Sequence, residues 1–305
     1  MGRLAFLFAG QGAQKPGMGK TLYQLGGDSK AVFDLSESLR PGTLRDCFEA
    51  DAERLDQPAV TQPCVYTVAL AAAAALVDAG IRPDGVAGFA LGGMTALTFA
   101  GECPANRGFG LVCRRGLLKK QAAEENPGSM AAVLRLADDQ VEALCKQFKQ
   151  VYPVNYNCDG QLVVAGAAEE MPAFCAAVKE AGGLARPLAV SGAFHSHFMA
   201  AASEAFRQEL AQTTMNQPRE PVYANLTALP YAPPLEDKLA MQMQSPVLWS
   251  GTVRQMGRDG YDTFVEVGPG KTLSGLVKRI LPGARILNVQ DAESLQATVE
   301  ALGSA

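Results

Sequence analysis

The stretch Gly85-Val86-Ala87-Gly88-Phe89-Ala90-Leu91-Gly92-Gly93 decides how the rest of this sequence is read. Gly85 to Phe89 reads as a strand and Leu91 to Ala100 as a helix, with Gly101 as its stop signal. A strand that turns sharply into a helix is the alternation of an α/β protein with a parallel sheet. Gly88 and Gly92 stand two positions before and two after Ala90, the spacing of a G-x-S-x-G nucleophile elbow. Such a turn carries its central side chain at the mouth of a site, above a helix N-terminus whose N–H groups favour negative charge. The spacing suits an ordinary strand-glycine-helix junction equally well, so function has to be read from the residues around it.

Working outward, Leu4 to Ala9 predicts a buried strand that opens into the loop Gly10-Gln11-Gly12-Ala13-Gln14. Pro63 to Ala79 has helical spacing and is closed by Gly80 ahead of Pro83. Its most apolar part, Val68 to Val77, is too short to span a bilayer and reads as a buried helix. After Asn126-Pro127-Gly128 the pattern changes. Strand-like runs at Met130 to Leu134, Val154 to Asn157, Leu162 to Ala165 and Ala185 to Val190 alternate with helix-like Asp138 to Gln150 and Glu169 to Ala181. That order predicts a small ferredoxin-like unit, residues 127–191, inserted in a larger α/β domain made of 1–126 and 192–305. Phe264 to Val267 is a late strand, and Gly268-Pro269-Gly270 leads into a helix from Thr272.

Composition narrows the function classes. A net charge of −4 argues against a broad nucleic-acid surface. No apolar signal segment opens the chain, which with dispersed thiols predicts a cytoplasmic protein with no membrane span. The 7 cysteines include no C-x-x-C pair, and the 2 histidines, His195 and His197, do not make a zinc set with them. Free thiols and no metal are expected.

Further segments carry a resemblance. They are Gly10-Gln11-Gly12-Ala13-Gln14 with Gly17-Met18-Gly19, Thr61-Gln62-Pro63, Arg115-Gly116, and Asn155-Tyr156-Asn157 through Gly160 to Gly166. Gly192-Ala193-Phe194-His195-Ser196, Ser245-Pro246-Val247-Leu248-Trp249 and Glu266 to Lys271 follow in the same order. Together with the elbow, these blocks resemble the malonyl-CoA:acyl-carrier-protein transacylases of fatty-acid synthesis and the related polyketide acyltransferase domains. The resemblance implies an α/β-hydrolase-like large domain with a ferredoxin-like subdomain. It also implies ping-pong transfer of malonyl from coenzyme A to a serine and on to the phosphopantetheine thiol of acyl-carrier protein. No cofactor is implied beyond malonyl-CoA as substrate.

The family reads G-H-S-L-G-E at the elbow, whereas here Phe89, Ala90 and Gly93 replace the histidine, the serine and the glutamate. A methyl group cannot form an acyl ester. The chain is therefore either a transacylase whose nucleophile has been removed, which the otherwise intact site favours, or a natural relative that binds acyl-CoA or acyl-carrier protein without transfer. Phe89 and Gly93 speak for some natural divergence. A serine esterase has only the elbow spacing behind it.

The remaining roles follow from the resemblance. His195 matches the general base, and Ser245, ahead of Pro246, matches the residue whose main-chain carbonyl orients it. Leu91 and Gln11 supply the oxyanion N–H donors, and Gln62 lines the pocket. Arg115 matches the arginine that grips the malonyl carboxylate through a two-pronged guanidinium contact. Phe194 resembles the malonyl-selective branch, while Phe89 alters the wall and Lys119 stands where relatives often carry methionine. Arg114 reads as a surface charge, and His197 as an ordinary surface or core histidine without a role. Lys271, Lys278 and Arg279 are candidate contacts for an acidic carrier protein, or simply solvated charges.

Overall fold

The computed structural model describes residues 2–303; Met1, Ser304 and Ala305, which the expected domain limits include, lie outside the described residues. Nine strands are described: β1 (Arg3–Phe8), β2 (Gly85–Gly88), β3 (Gly128–Leu134), β4 (Val151–Cys158), β5 (Gln161–Ala167), β6 (Leu184–Pro187), β7 (Val222–Tyr223), β8 (Tyr261–Val267) and β9 (Arg285–Val289).

The sequence of β1 explains its central place. Ala5, Phe6, Leu7 and Phe8 are apolar without alternation, as a strand covered on both faces must be. Phe6 and Phe8 enter the core formed with the helices Pro58–Asp78 and Leu91–Phe99. Ala5 and Leu7 enter a second core with Trp249, Val253 and Leu276 on the opposite face. The resulting sheet runs β7-β2-β1-β8-β9 with every pair parallel. Helix Pro58–Asp78 is long and apolar enough to cross a membrane, but it is buried within the protein along most of its length. The C-terminal ends of β1, β2 and β8 come level, Phe8 pairing with both Gly88 and Val267. The loop at 10–14, the elbow and the turn at 268–270 therefore crowd one edge, where ligands of open parallel sheets bind.

The smaller sheet is antiparallel, in the order β4-β5-β3-β6. With helices Asp138–Cys145 and Met171–Glu180 it has the ferredoxin-like arrangement. Ala131 and Val133 of β3 pack into the core of this unit, whereas Met130 joins the large core, so period-2 alternation serves two partners.

The helix expected from Pro63 begins earlier, at Pro58, and two other elements end well short of expectation. The strand expected over Ala185 to Val190 ends at Pro187; Leu188 still donates to the Met130 carbonyl at 2.9 Å, and 188–190 lines a cavity. The Val190 N–H turns back onto the Leu188 carbonyl at 2.8 Å, which curls the chain out of the ladder. The helix expected to reach Gln150 stops at Cys145, and Phe148 turns in to meet the Phe174 ring at 5.7 Å. Strands β7 and β9 are too short or too mixed in composition to stand out before folding.

Candidate active site

The elbow is built from space rather than from side-chain chemistry. Ala90 has φ 50° and ψ −105°, a sparsely populated conformation for a residue with a Cβ. A Cβ at Gly92 would lie 2.1 Å from the Phe8 carbonyl oxygen, and one at Gly88 would lie 1.9 Å from the Gly92 carbonyl carbon. Only glycine lets β1, β2 and the following helix approach this closely. The side chain of Asn225 then pins the turn: it accepts from the Ala90 N–H at 2.6 Å and donates to the Gly88 carbonyl at 2.8 Å. Asn225 carries no signal in the sequence.

His195 is buried, with φ 61°, and its Nδ1 lies 3.0 Å from the Gln242 carbonyl oxygen. The orienting bond therefore goes to Gln242, three residues before the expected Ser245, whose main chain gives a secondary contribution. Helix Glu236–Met241 ends just before Gln242, and a carbonyl in the last turn of a helix has no intrahelical donor, which frees it for the imidazole. An Nδ1–H donated to this carbonyl leaves Nε2 as an acceptor. Burial, then the charges of Lys119 and Arg115, push the His195 pKa down to about 3, so the ring is a neutral base at ordinary pH.

Arg115 is fully buried on helix Ala105–Glu125. The helix reaches Gln62 because of the next residue, since a Cβ at Gly116 would lie 2.7 Å from the Pro58 carbonyl oxygen. Arg115 donates to Gln62 Oε1 at 2.9 Å and to Gln242 Oε1 at 3.4 Å, and its Nε has no partner. Gln242 in turn donates to the Ala90 carbonyl at 3.1 Å. Gln242 Nε2 also lies 2.9 Å from where a Cβ at Gly93 would stand, a contact that the mobile end of the glutamine could yield. Gln62 also donates to Gln11 Oε1 at 3.2 Å, and Lys119 Nζ donates to the same oxygen at 3.1 Å. One chain of neutral amides thus links both cations to the elbow.

A cavity of about 290 Å³ opens at this point, lined by Gln11, Phe89, Ala90, Leu91, Lys119, Asn155, Phe194 and His195 among others. It continues into a wider mouth of about 740 Å³ edged by Pro58, Ala123, Leu188 and Val190. Arg115 lies behind the lining, reached through Gln62 and Gln242. Phe89 packs edge-on against Trp249 at 5.4 Å, and Phe194 lies beneath Lys119 at 4.0 Å. The Leu91 N–H begins helix Leu91–Phe99 and has no intrahelical acceptor. Ser245 is buried outside the lining, Arg114 pairs with Glu209 at 3.1 Å, and exposed His197 meets Tyr152 edge-on at 4.9 Å. Among the described residues no group of His, Cys, Asp and Glu is placed to hold a metal, and every cysteine is free.

The acyl transferase domain model matches residues 5–296. The malonyl CoA-acyl carrier protein transacylase of Bacillus subtilis is 34% identical over 99% of this chain and 98% of its own length. The crystal structure of the Clostridium perfringens transacylase of that name superposes with TM-score 0.95, is 34% identical, and is covered over 98% of its length by 99% of this chain. A second structure shows a malonyl-transacylase in complex with a type II polyketide acyl-carrier protein (TM-score 0.94, 30% identity, 98% and 99% covered).

Proposed function

This chain belongs to the acyl transferase family and, within it, to the malonyl CoA-acyl carrier protein transacylases, and from that premise we propose that its cavity takes the malonyl group of malonyl-CoA and its mouth receives the phosphopantetheine arm of an acyl-carrier protein. The observation that carries this reading is Arg115, a cation removed from water and held only by two neutral glutamine amides. A buried charge without a counter-ion is costly, and a carboxylate supplied by a ligand offsets that cost. The weak 3.4 Å contact to Gln242 is the one such a carboxylate would replace.

With a serine at position 90, the hydroxyl would attack the thioester carbonyl while His195 Nε2 took its proton. The N–H groups of Leu91 and Gln11 would hold the resulting oxyanion, and the coenzyme A thiolate would leave. The second half-reaction repeats these steps with the carrier thiol as the incoming group. Ala90 removes the attacking atom and leaves the other parts in place. We therefore assign this chain malonyl-thioester binding without covalent transfer, since loss of a serine nucleophile costs about a million-fold in turnover.

Intact-protein mass spectrometry after mixing with malonyl-CoA tests this directly. The chain as written should gain no mass and its Ala90→Ser variant should gain one malonyl group. If the serine variant also stays unmodified while binding malonyl-CoA, Phe89 and Gly93 have disabled the site independently, and a binding-only relative is the better account.

A further inference from the structure

We infer that Lys119 is a second anion anchor, and that the cavity accordingly takes a small dicarboxylate as a free dianion in preference to a monocarboxylate. The inference deepens the proposed function and rests on its reading of Arg115 as a carboxylate partner. Lys119 is 3% exposed and lines the cavity itself, one turn along the same helix face from Arg115. Its Nζ is held by the neutral Gln11 Oε1 at 3.1 Å and the Phe194 ring at 4.0 Å. Among the described residues neither Lys119 nor Arg115 forms an ion pair. Lys119 in the wall and Arg115 just behind it are two basic groups beside one small cavity, so a ligand with one negative charge pairs with one of them and a dianion with both.

The groups facing Lys119 are Arg115 on its own helix, His195 from the segment after β6, and Asp56, which lines the same cavity. Asp56 is turned to Gln14, which donates to its Oδ1 at 2.9 Å. Burial, and then Arg115, hold the Lys119 pKa well below its ordinary value. A dianion beside it reverses that balance, so binding draws a proton from solvent onto Lys119 or His195. No covalent step is involved.

Isothermal titration of the chain with malonate and with acetate, in two buffers of different protonation enthalpy, tests this. Malonate should bind at least tenfold more tightly than acetate, with net proton uptake. In Lys119→Met, a near-isosteric change that relieves a buried charge, malonate should weaken by about tenfold and the uptake should shrink. Lys119→Arg should keep the dianion preference. Unchanged malonate affinity and uptake in Lys119→Met would overturn the inference, whatever happens to malonyl-CoA. Loss of malonyl-CoA binding in Arg115→Met alongside that result would leave the malonyl reading standing and the dianion inference fallen. Parent chain that binds malonate through Lys119 but not malonyl-CoA would do the opposite, keeping the dianion site and removing the malonyl-thioester reading.

Discussion

The elbow around Ala90 and the cation pair on helix Ala105–Glu125 are both expensive to maintain, and for different reasons. At the elbow the cost is conformational: a non-glycine residue at φ 50° and ψ −105°, in a turn whose flanking Gly88 and Gly92 have no room for a Cβ. At Arg115 and Lys119 the cost is electrostatic, two cations out of water with amides for company. The elbow survives without its reacting oxygen because its shape is fixed by Gly88, Gly92 and Asn225, none of which senses the side chain at position 90. The cation pair is held only by neutral groups, the amides of Gln62, Gln242 and Gln11 and the Phe194 ring. It exists only as long as the two residues themselves are Arg and Lys, so its presence says more about what the cavity meets than the shape of the elbow does.

Gly92→Ala should break the elbow side of this comparison with the largest effect on stability. Its new Cβ would meet the Phe8 carbonyl oxygen at 2.1 Å and carbon at 2.8 Å, both main chain in the central strand. Neither can move aside as a flexible side chain could, and a loss of about 4 kcal/mol or more is expected from chemical denaturation. Ala90→Ser should shift the same curve by less than about 1 kcal/mol. Similar small shifts for both substitutions would mean that the elbow is not clamped by its backbone.

Arg115→Met should act on the other side with the opposite pattern. Malonyl-CoA affinity should fall by about a hundredfold, while acetyl-CoA, which offers no carboxylate, changes by less than about threefold. Folding stability should hold or rise by about 1 kcal/mol, because a buried charge without a counter-ion is replaced by an apolar chain of similar length. Calorimetry for the two ligands and a thermal melt separate these claims; equal losses for both thioesters would remove Arg115 from carboxylate binding.

These outcomes bear on what can be read before folding. The strand-turn-helix pattern around Ala90, the continuous apolar run of β1 and the β-α-β-β-α-β order after Asn126 are local signals, and they locate both sheets. Phe194, His195, Gln11, Gln62 and Arg115 sit in short blocks recognisable by their neighbours. Gln242 and Asn225 are not legible, because what they do depends on atoms 152 and 135 positions away. The sequence points to Ser245 for the orienting carbonyl, where a proline fixes the backbone, although the end of the preceding helix exposes Gln242 first. Lys119 is visible in the sequence only as an odd residue; that it is buried beside Arg115 is a fact of packing.

His195 joins the two regions, since it faces the elbow and feels both cations, and its titration gives the smallest of these effects. Its pKa falls from the ordinary 6.5 to about 3 in the fold, so the unfolded chain binds a proton between these limits that the folded chain refuses. Stability is therefore complete above about pH 6.5 and declines as pH falls toward the folded value, by about 2 kcal/mol at pH 5. His195→Gln should remove that part of the slope in urea melts taken across this range. Lys119→Met should reduce the slope as well, because one of the two repelling cations is gone. A ligand carboxylate should do the same to the parent chain by raising the imidazole pKa. If Lys119→Met leaves the acid slope untouched while His195→Gln abolishes it, Lys119 does not depress the imidazole, and burial with Arg115 carries the shift.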